Sequence, residues 1–119
     1  MNEKMIYLKE NGIDVDTALT YLGDMETFDE ILRDFIDGLD NQLQQLEDTK
    51  NSGDISNYAI LVHALKSNCR SLGIVKFADL AYQHEMESKA GNAEFVNRNF
   101  NDLVMEKDKV KEVAEKYFN

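Results

Sequence analysis

The sequence predicts an all-α protein, an antiparallel up-down four-helix bundle with a short additional N-terminal helix. Three observations predict it. The chain has no proline, and β-branched residues are sparse beside Leu, Glu, Lys, Asp and Ala, a balance that favours helix. Apolar residues recur at three- and four-residue spacing through four substantial stretches. Short breaks such as Asn51-Ser52-Gly53 and Gly91-Asn92 separate those stretches, so neighbouring helices are expected to run antiparallel. With 119 residues, 43% hydrophobic and 30% charged, the chain suits one domain around one packed core.

Taken in order, residues 2–10 form a short helix or an ordered arm, followed by a turn at Asn11-Gly12. Asp14 or Asp16 caps a short helix running to Leu22, with Ala18, Leu19 and Leu22 on one side, and Gly23 stops it. Asp24 or Thr27 then caps a long helix, and Thr27 with Glu30 has the spacing of a capping box. Phe28, Ile31, Leu32, Phe35, Leu39, Leu43 and Leu46 supply its apolar stripe, while Asp29, Glu30, Arg33, Asp37 and Asp40 form a solvated acidic face. Asp54 caps the next helix, whose stripe is Ile55, Tyr58 or Ala59, Val62, Leu65, Cys69 and Leu72. Gly73 ends it. A link through Ile74 and Val75 leads to a helix over Lys76 to Ala90, with Phe77, Leu80, Ala81 and His84 inward. The last helix covers Ala93 to Phe118, with Val96, Phe100, Leu103, Val110, Val113 and Tyr117 inward.

A net charge of −10 argues against nucleic acid or an anionic membrane as partner, since both need a positive field. The acids are unevenly spread. None lies between Asp54 and Asp79, where Lys66, Arg70 and Lys76 make a positive island. Cys69 is the only cysteine, which excludes an internal disulfide and suits a reducing compartment. No apolar run is long enough to span a bilayer, and the acid-bearing N-terminus does not read as a secretory signal. A cytoplasmic protein is expected.

The island surrounds His63. On a helix, Ala59, Lys66, Ser67 and Arg70 share the face of His63, at spacings of three, four and seven. Two of these neighbours are small and leave the imidazole edge open; two are cationic. His63 follows Val62 by about 100° of rotation and so sits at the border of the apolar stripe. An open histidine flanked by cations suits a group that meets and holds a phosphoryl anion, whereas an isolated histidine would be an ordinary surface residue. His84 reads as a packed, hydrogen-bonded histidine, and Cys69 as a small core residue. The spacing of His63, Cys69 and His84 fits no zinc signature, so no metal site is expected. A hydrolase is disfavoured, since paired acids, a glycine-rich phosphate loop and a nucleophile–base pair are all lacking.

The segment His63-Ala-Leu-Lys66-Ser-Asn-Cys-Arg-Ser-Leu72-Gly73 resembles the signature of histidine-containing phosphotransfer (HPt) domains. His63, Leu65, Lys66 and Gly73 match a histidine, a leucine and a lysine two and three positions on, and a glycine ten positions on. Gly12-Ile-Asp-Val-Asp-Thr-Ala-Leu resembles the family's opening segment, and Leu80 to Gly91, with Glu85, Lys89 and Gly91, resembles its following helix. Ser67 stands where glycine is frequent, His84 where the family is usually apolar, and Arg70 where a small residue is common.

The resemblance covers nearly the whole chain and implies a single HPt-like domain over residues 1–119. It implies that His63 accepts a phosphoryl group from a receiver-domain aspartyl phosphate and returns it to another receiver aspartate. Neutral imidazole is a competent nucleophile near neutral pH, and phosphoryl transfer needs positioning and charge neutralisation more than covalent machinery. Lys66 is expected to stabilise phosphoryl charge; Ala59, Ser67, Arg70 and Glu85 to lie near the phosphate or partner; and Gly73 to be structural. Response-regulator receiver domains and a hybrid sensor histidine kinase are the implied partners, with magnesium on the receiver and no cofactor on this chain. The chain is expected to be a monomeric carrier without kinase activity of its own. An apolar patch for docking is expected from Ile60, Leu61, Ala64 or the preceding helix. The alternative is a helical adaptor that binds a receiver or kinase without phosphate turnover.

Overall fold

Short polar side chains set the starts of the helices. In the computed structural model, which describes residues 2–119, the elements are α1 (Glu3–Glu10), α2 (Val15–Leu22), α3 (Met25–Asn51), α4 (Ile55–Ser71), α5 (Val75–Lys89) and α6 (Ala93–Phe118). Asn2, Asp14, Asp24, Asp54 and Asn92 each accept a hydrogen bond from the backbone N–H three residues on, which satisfies one of the unpaired donors of a helix start. Of the paired alternatives, Asp14 rather than Asp16 caps α2, and Asp24 rather than Thr27 caps α3. Helix α5 has no side-chain cap; Ile74 stands there and is buried instead.

Helices α3, α4, α5 and α6 pack as a ring of neighbours, each antiparallel to the next. Phe28, at the start of α3, meets Tyr117, near the end of α6, edge-on at 6.5 Å. Lys50, at the other end of α3, lies over Phe100 near the start of α6. The buried apolar residues form one cluster, running from Leu8 and Phe28 through Leu39, Val62 and Phe77 to Leu103 and Tyr117. No strand occurs among the described residues; a lone antiparallel bridge joins Ile13 to Ile74.

The structure corrects several expectations. Two short helices, not one, precede the bundle: Asn2 caps residues 3–10 and Leu8 is fully buried, so the segment folds as a helix rather than lying as an arm. Helix α5 begins one residue before Lys76. Ile31 is exposed, because the α3 stripe advances through Phe28, Leu32, Phe35 and Leu39 and leaves Ile31 about 100° behind Leu32. On α6 Ala114 is buried while Val113 is only half-buried, and Leu80 is half-buried beside the buried Ala78 and Ala81 of α5. The acidic face of α3 is not simply solvated. Asp29 accepts a hydrogen bond from the Tyr117 hydroxyl at 2.6 Å, and Asp40 pairs with Lys107 and Lys111 of α6.

Gly73 fixes how the short N-terminal helices join the bundle. Its φ is +70°, a conformation that strains any residue with a Cβ. Its carbonyl accepts from the Asp14 N–H at 2.8 Å, and an added Cβ would run into the Asp14 backbone. The turn between α4 and α5 is thus laced to the loop between α1 and α2.

Candidate functional site

Helices α4 and α5 are the most closely packed pair, and their seam is polar at its centre. Consecutive residues of α5 meet different partners on α4. His84, 1% exposed, has its Nδ1 2.8 Å from the Tyr58 hydroxyl and its ring edge-on to Phe95 at 5.2 Å. Burial pushes the His84 pKa down, against opposing contributions from the Asn99 backbone and Asp102. Burial also pushes the Tyr58 phenol up. This pair behaves as a neutral, satisfied core contact.

Glu85, also 1% exposed, gathers the charged part of the seam. Its Oε1 accepts from Lys66 Nζ at 2.6 Å, and its Oε2 accepts from Lys89 Nζ at 2.7 Å. Oε2 lies 2.6 Å from His63 Nδ1. Burial acts to raise the Glu85 pKa, but the hydrogen bonds from Lys66, Lys89 and His63, with the Lys66 charge, outweigh it and hold the carboxyl at about 2. Glu85 is therefore an ionised carboxylate, which only accepts hydrogen bonds, and so Nδ1 must carry the imidazole proton. Lys66 Nζ lies 3.3 Å from the same Nδ1. An ammonium only donates, so this contact is a charge beside the ring and not a second hydrogen bond while Nδ1 is protonated.

That arrangement fixes the tautomer, much as a carboxylate behind a metal-ligating histidine does. Nε2 is left with its lone pair and has no hydrogen-bond partner among the described residues. The His63 side chain is 55% exposed. It opens onto a groove of about 490 Å³ lined by Ser56, Ala59, Ile60, His63, Ser88 and Lys89. The site can offer a neutral imidazole nitrogen to an incoming electrophile while a buried carboxylate stabilises the cation formed on the ring.

The site residues expected from sequence come together only in part. His63 lies beside Ala59 in the groove and within hydrogen-bond reach of Glu85. Ser67 and Arg70 are exposed on α4, with the Arg70 guanidinium 5.5 Å from the Tyr82 ring centroid. Lys66 is buried against Glu85, so it is not an open cation of the histidine face. Lys76 pairs loosely with Glu106 of α6 at 3.6 Å. The positive island is therefore largely neutralised by acids from other helices. Ile60 is the exposed large apolar residue that lines the groove with His63, and Tyr82 and Met86 of α5 are exposed apolar residues that the α4 sequence did not suggest. Cys69 is fully buried, and burial followed by the Glu106 charge pushes its thiol pKa up, which suits the core role expected of it.

Lys89 and Ser88 are the groove residues that received no role from the residues alone. A signal for Lys89 was present: an acid followed four residues later by a lysine is the spacing of a helical ion pair. No group of three or more His, Cys, Asp or Glu side chains able to hold a metal ion is found among the described residues. No helix among them is long and apolar enough to cross a membrane.

Comparison with known proteins points the same way. The family model described as Hpt domain matches residues 30–114, which takes in α4 and α5 whole and most of α3 and α6. No significant match to the chain was found among curated proteins or among solved structures.

Proposed function

The chain belongs to the Hpt domain family, whose members are phosphocarrier modules of two-component phosphorelays, and from that premise we propose that it carries a phosphoryl group on His63 Nε2. The observation that supports this most strongly is the open Nε2, set by the proton that Glu85 holds on Nδ1. In the step proposed, the Nε2 lone pair attacks the phosphorus of a receiver's aspartyl phosphate. The N–P bond forms as the acyl P–O bond breaks, and the electron pair leaves on the aspartate carboxylate. The ring becomes a phosphoimidazolium whose Nδ1–H still faces Glu85. Return of the group to a second receiver is the same step reversed.

Lys66 lends positive charge to this transfer from the Nδ1 side of the ring, where its field is poorly screened. We propose receiver domains and a hybrid sensor kinase as partners, with magnesium in the receiver's acidic pocket. We further propose a monomeric, cytoplasmic carrier that catalyses nothing by itself.

The test is transfer from a phosphorylated receiver to the purified protein and to His63→Gln. We expect an acid-labile, base-stable label on the wild type and none on the variant, with circular dichroism unchanged. Label persisting on His63→Gln would overturn the site assignment. Binding without label, across several receivers, would favour an adaptor that uses His63 as a contact residue.

A further inference from the structure

Consecutive residues of α5 make two different contacts with α4. Glu85 reaches His63 at 2.6 Å, and His84, one position earlier, reaches the Tyr58 hydroxyl at 2.8 Å. Tyr58 and His84 are buried, and neither lines the groove onto which His63 opens. The pair meets no incoming group, so any part it plays at the site must run through the helices that carry it.

The His84 ring ties three helices together. Its Nδ1 meets Tyr58 of α4, and its ring packs edge-on against Phe95 of α6 at 5.2 Å. The Asn99 backbone of α6 acts to raise the His84 pKa, as a carbonyl facing a ring N–H does. The neutral ring therefore keeps its proton on Nε2, toward α6, and Nδ1 accepts from the Tyr58 hydroxyl. Apolar contacts along the seam are non-directional and tolerate a small rotation of α5. The hydrogen bond does not, because a slip would leave two buried polar groups without partners. His84 and Glu85 lie about 100° apart around the helix axis, so fixing the direction of one fixes the direction of the other.

We propose that Tyr58 and His84 are a positioning pair, whose hydrogen bond sets the rotation of α5 on α4 and so keeps Glu85 against His63 Nδ1. The consequence for transfer deepens the carrier reading of His63 and rests on it; the placement of Glu85 does not.

The experiment reads placement and transfer separately. Nitrogen-15 NMR at about pH 8, where an ordinary imidazole is neutral, shows which ring nitrogen of His63 bears the proton. Phosphoramidate, a small donor that needs no receiver, gives the phosphorylation rate: Nε2 attacks its phosphorus, the P–N bond breaks, and ammonia leaves with the electron pair. Both are measured on the wild type, on Tyr58→Phe and on the double variant Tyr58→Phe with His84→Leu, with unfolding curves for each. The double variant removes both polar groups, so its unfolding midpoint should stay close to that of the wild type. Its His63 should nonetheless change from a single Nδ1–H tautomer to a mixture. Phosphorylation should slow about tenfold, short of the roughly hundredfold that an ångström of misplacement can cost. Tyr58→Phe, which keeps the ring, should show the same two changes with a lower midpoint, and it carries the test if the double variant does not fold.

An unchanged His63 nitrogen pattern in the folded variants, at whatever rate, would overturn the inference and leave the carrier reading standing. An altered pattern with the wild-type rate would overturn the pair's part in transfer. A wild type with a single Nδ1–H tautomer that takes no phosphate, from phosphoramidate or from a phosphorylated receiver, would remove the carrier reading, and the nitrogen pattern of the variants would still decide whether the pair places Glu85.

Discussion

The α4–α5 seam and the α3–α6 seam both bring two lysines to one carboxylate, and the two clusters have different consequences. Asp40 of α3 takes Lys107 at 3.3 Å and Lys111 at 2.7 Å, but its side chain is 61% exposed. Glu85 takes Lys66 and Lys89 at similar distances with its side chain 2% exposed. Water and salt screen the first cluster, so it latches two long helices weakly. In the second, Glu85 and Lys66 are buried, so these two charges require each other and the carboxylate can dictate a proton position on His63. Burial, rather than the number of ions, separates a surface latch from a site.

Removing the buried charge should have the largest effect. Glu85→Gln leaves the Lys66 ammonium buried without a counter-charge, and we expect a loss of roughly 3–5 kcal/mol in unfolding free energy. Phosphorylation of His63 should fall with it, because an amide no longer forces the proton onto Nδ1. If that variant does not fold, the pair Glu85→Leu with Lys66→Met removes both charges. Replacing a buried ion pair by apolar groups is close to neutral in stability, so this double variant should fold yet take phosphate slowly. A double variant labelled at the wild-type rate would show that Glu85 stabilises the seam without setting the site.

The same contrast predicts an acid response. The folded Glu85 carboxyl sits at about 2 against an ordinary 4.5, so the unfolded chain binds this proton more readily. Its contribution to stability is present in full above about pH 4.5 and is lost as pH falls towards 2. Urea midpoints measured at pH 5 and pH 3 should therefore drop less in Glu85→Gln than in the wild type. Asp14, Asp24 and Asp40, whose carboxyls are also held low, keep part of the slope in both proteins.

Gly73 tests whether the α4–α5 seam depends on the turn that closes it. Gly73→Ala places a Cβ at φ +70° against the Asp14 backbone. The strain should cost roughly 1–3 kcal/mol, read as a lower unfolding midpoint. The Glu85 cluster lies along the helices away from this turn, so the folded variant should still take phosphate on His63. A midpoint equal to that of the wild type would mean that the loop between α1 and α2 yields to the added methyl group.

Much of this was legible in one dimension. The cap Asp54, the break at Gly91-Asn92, the stripe from Phe28 to Leu46, and His63 at the border of its stripe all follow from local spacing. Gly73 was legible as a helix stop, although its closeness to Asp14 was not. The environment of Lys66 could not be read, because a lysine one position past Leu65 looks the same whether it faces water or a carboxylate 19 residues away. Glu85 entered only through family resemblance. Nothing local marks it as buried, and its proximity to His63 depends on the antiparallel register of α4 and α5. The positive island misled for the same reason. A gap in the acids along the chain becomes a neutralised surface once Glu85 and Glu106 arrive from other helices.

The exposed cluster supplies the smallest effect and the sharpest control. Asp40→Asn removes the charge that Lys107 and Lys111 share, but the site of that charge is exposed, and Lys107 keeps Asp108 at 3.3 Å. The loss should be at most about 1 kcal/mol, and it should shrink further as salt is raised. Phosphorylation of His63 should not change, since α3 and α6 contribute no side chain to the groove. The pair of measurements that decides the comparison is the salt dependence of stability in Asp40→Asn and in Glu85→Gln. A screened latch predicts that the Asp40 deficit fades with salt, and a buried pair predicts that the Glu85 deficit persists. Deficits of equal size, fading together, would mean that water reaches Glu85 as freely as it reaches Asp40, and burial would then not be what makes the α4–α5 seam a site.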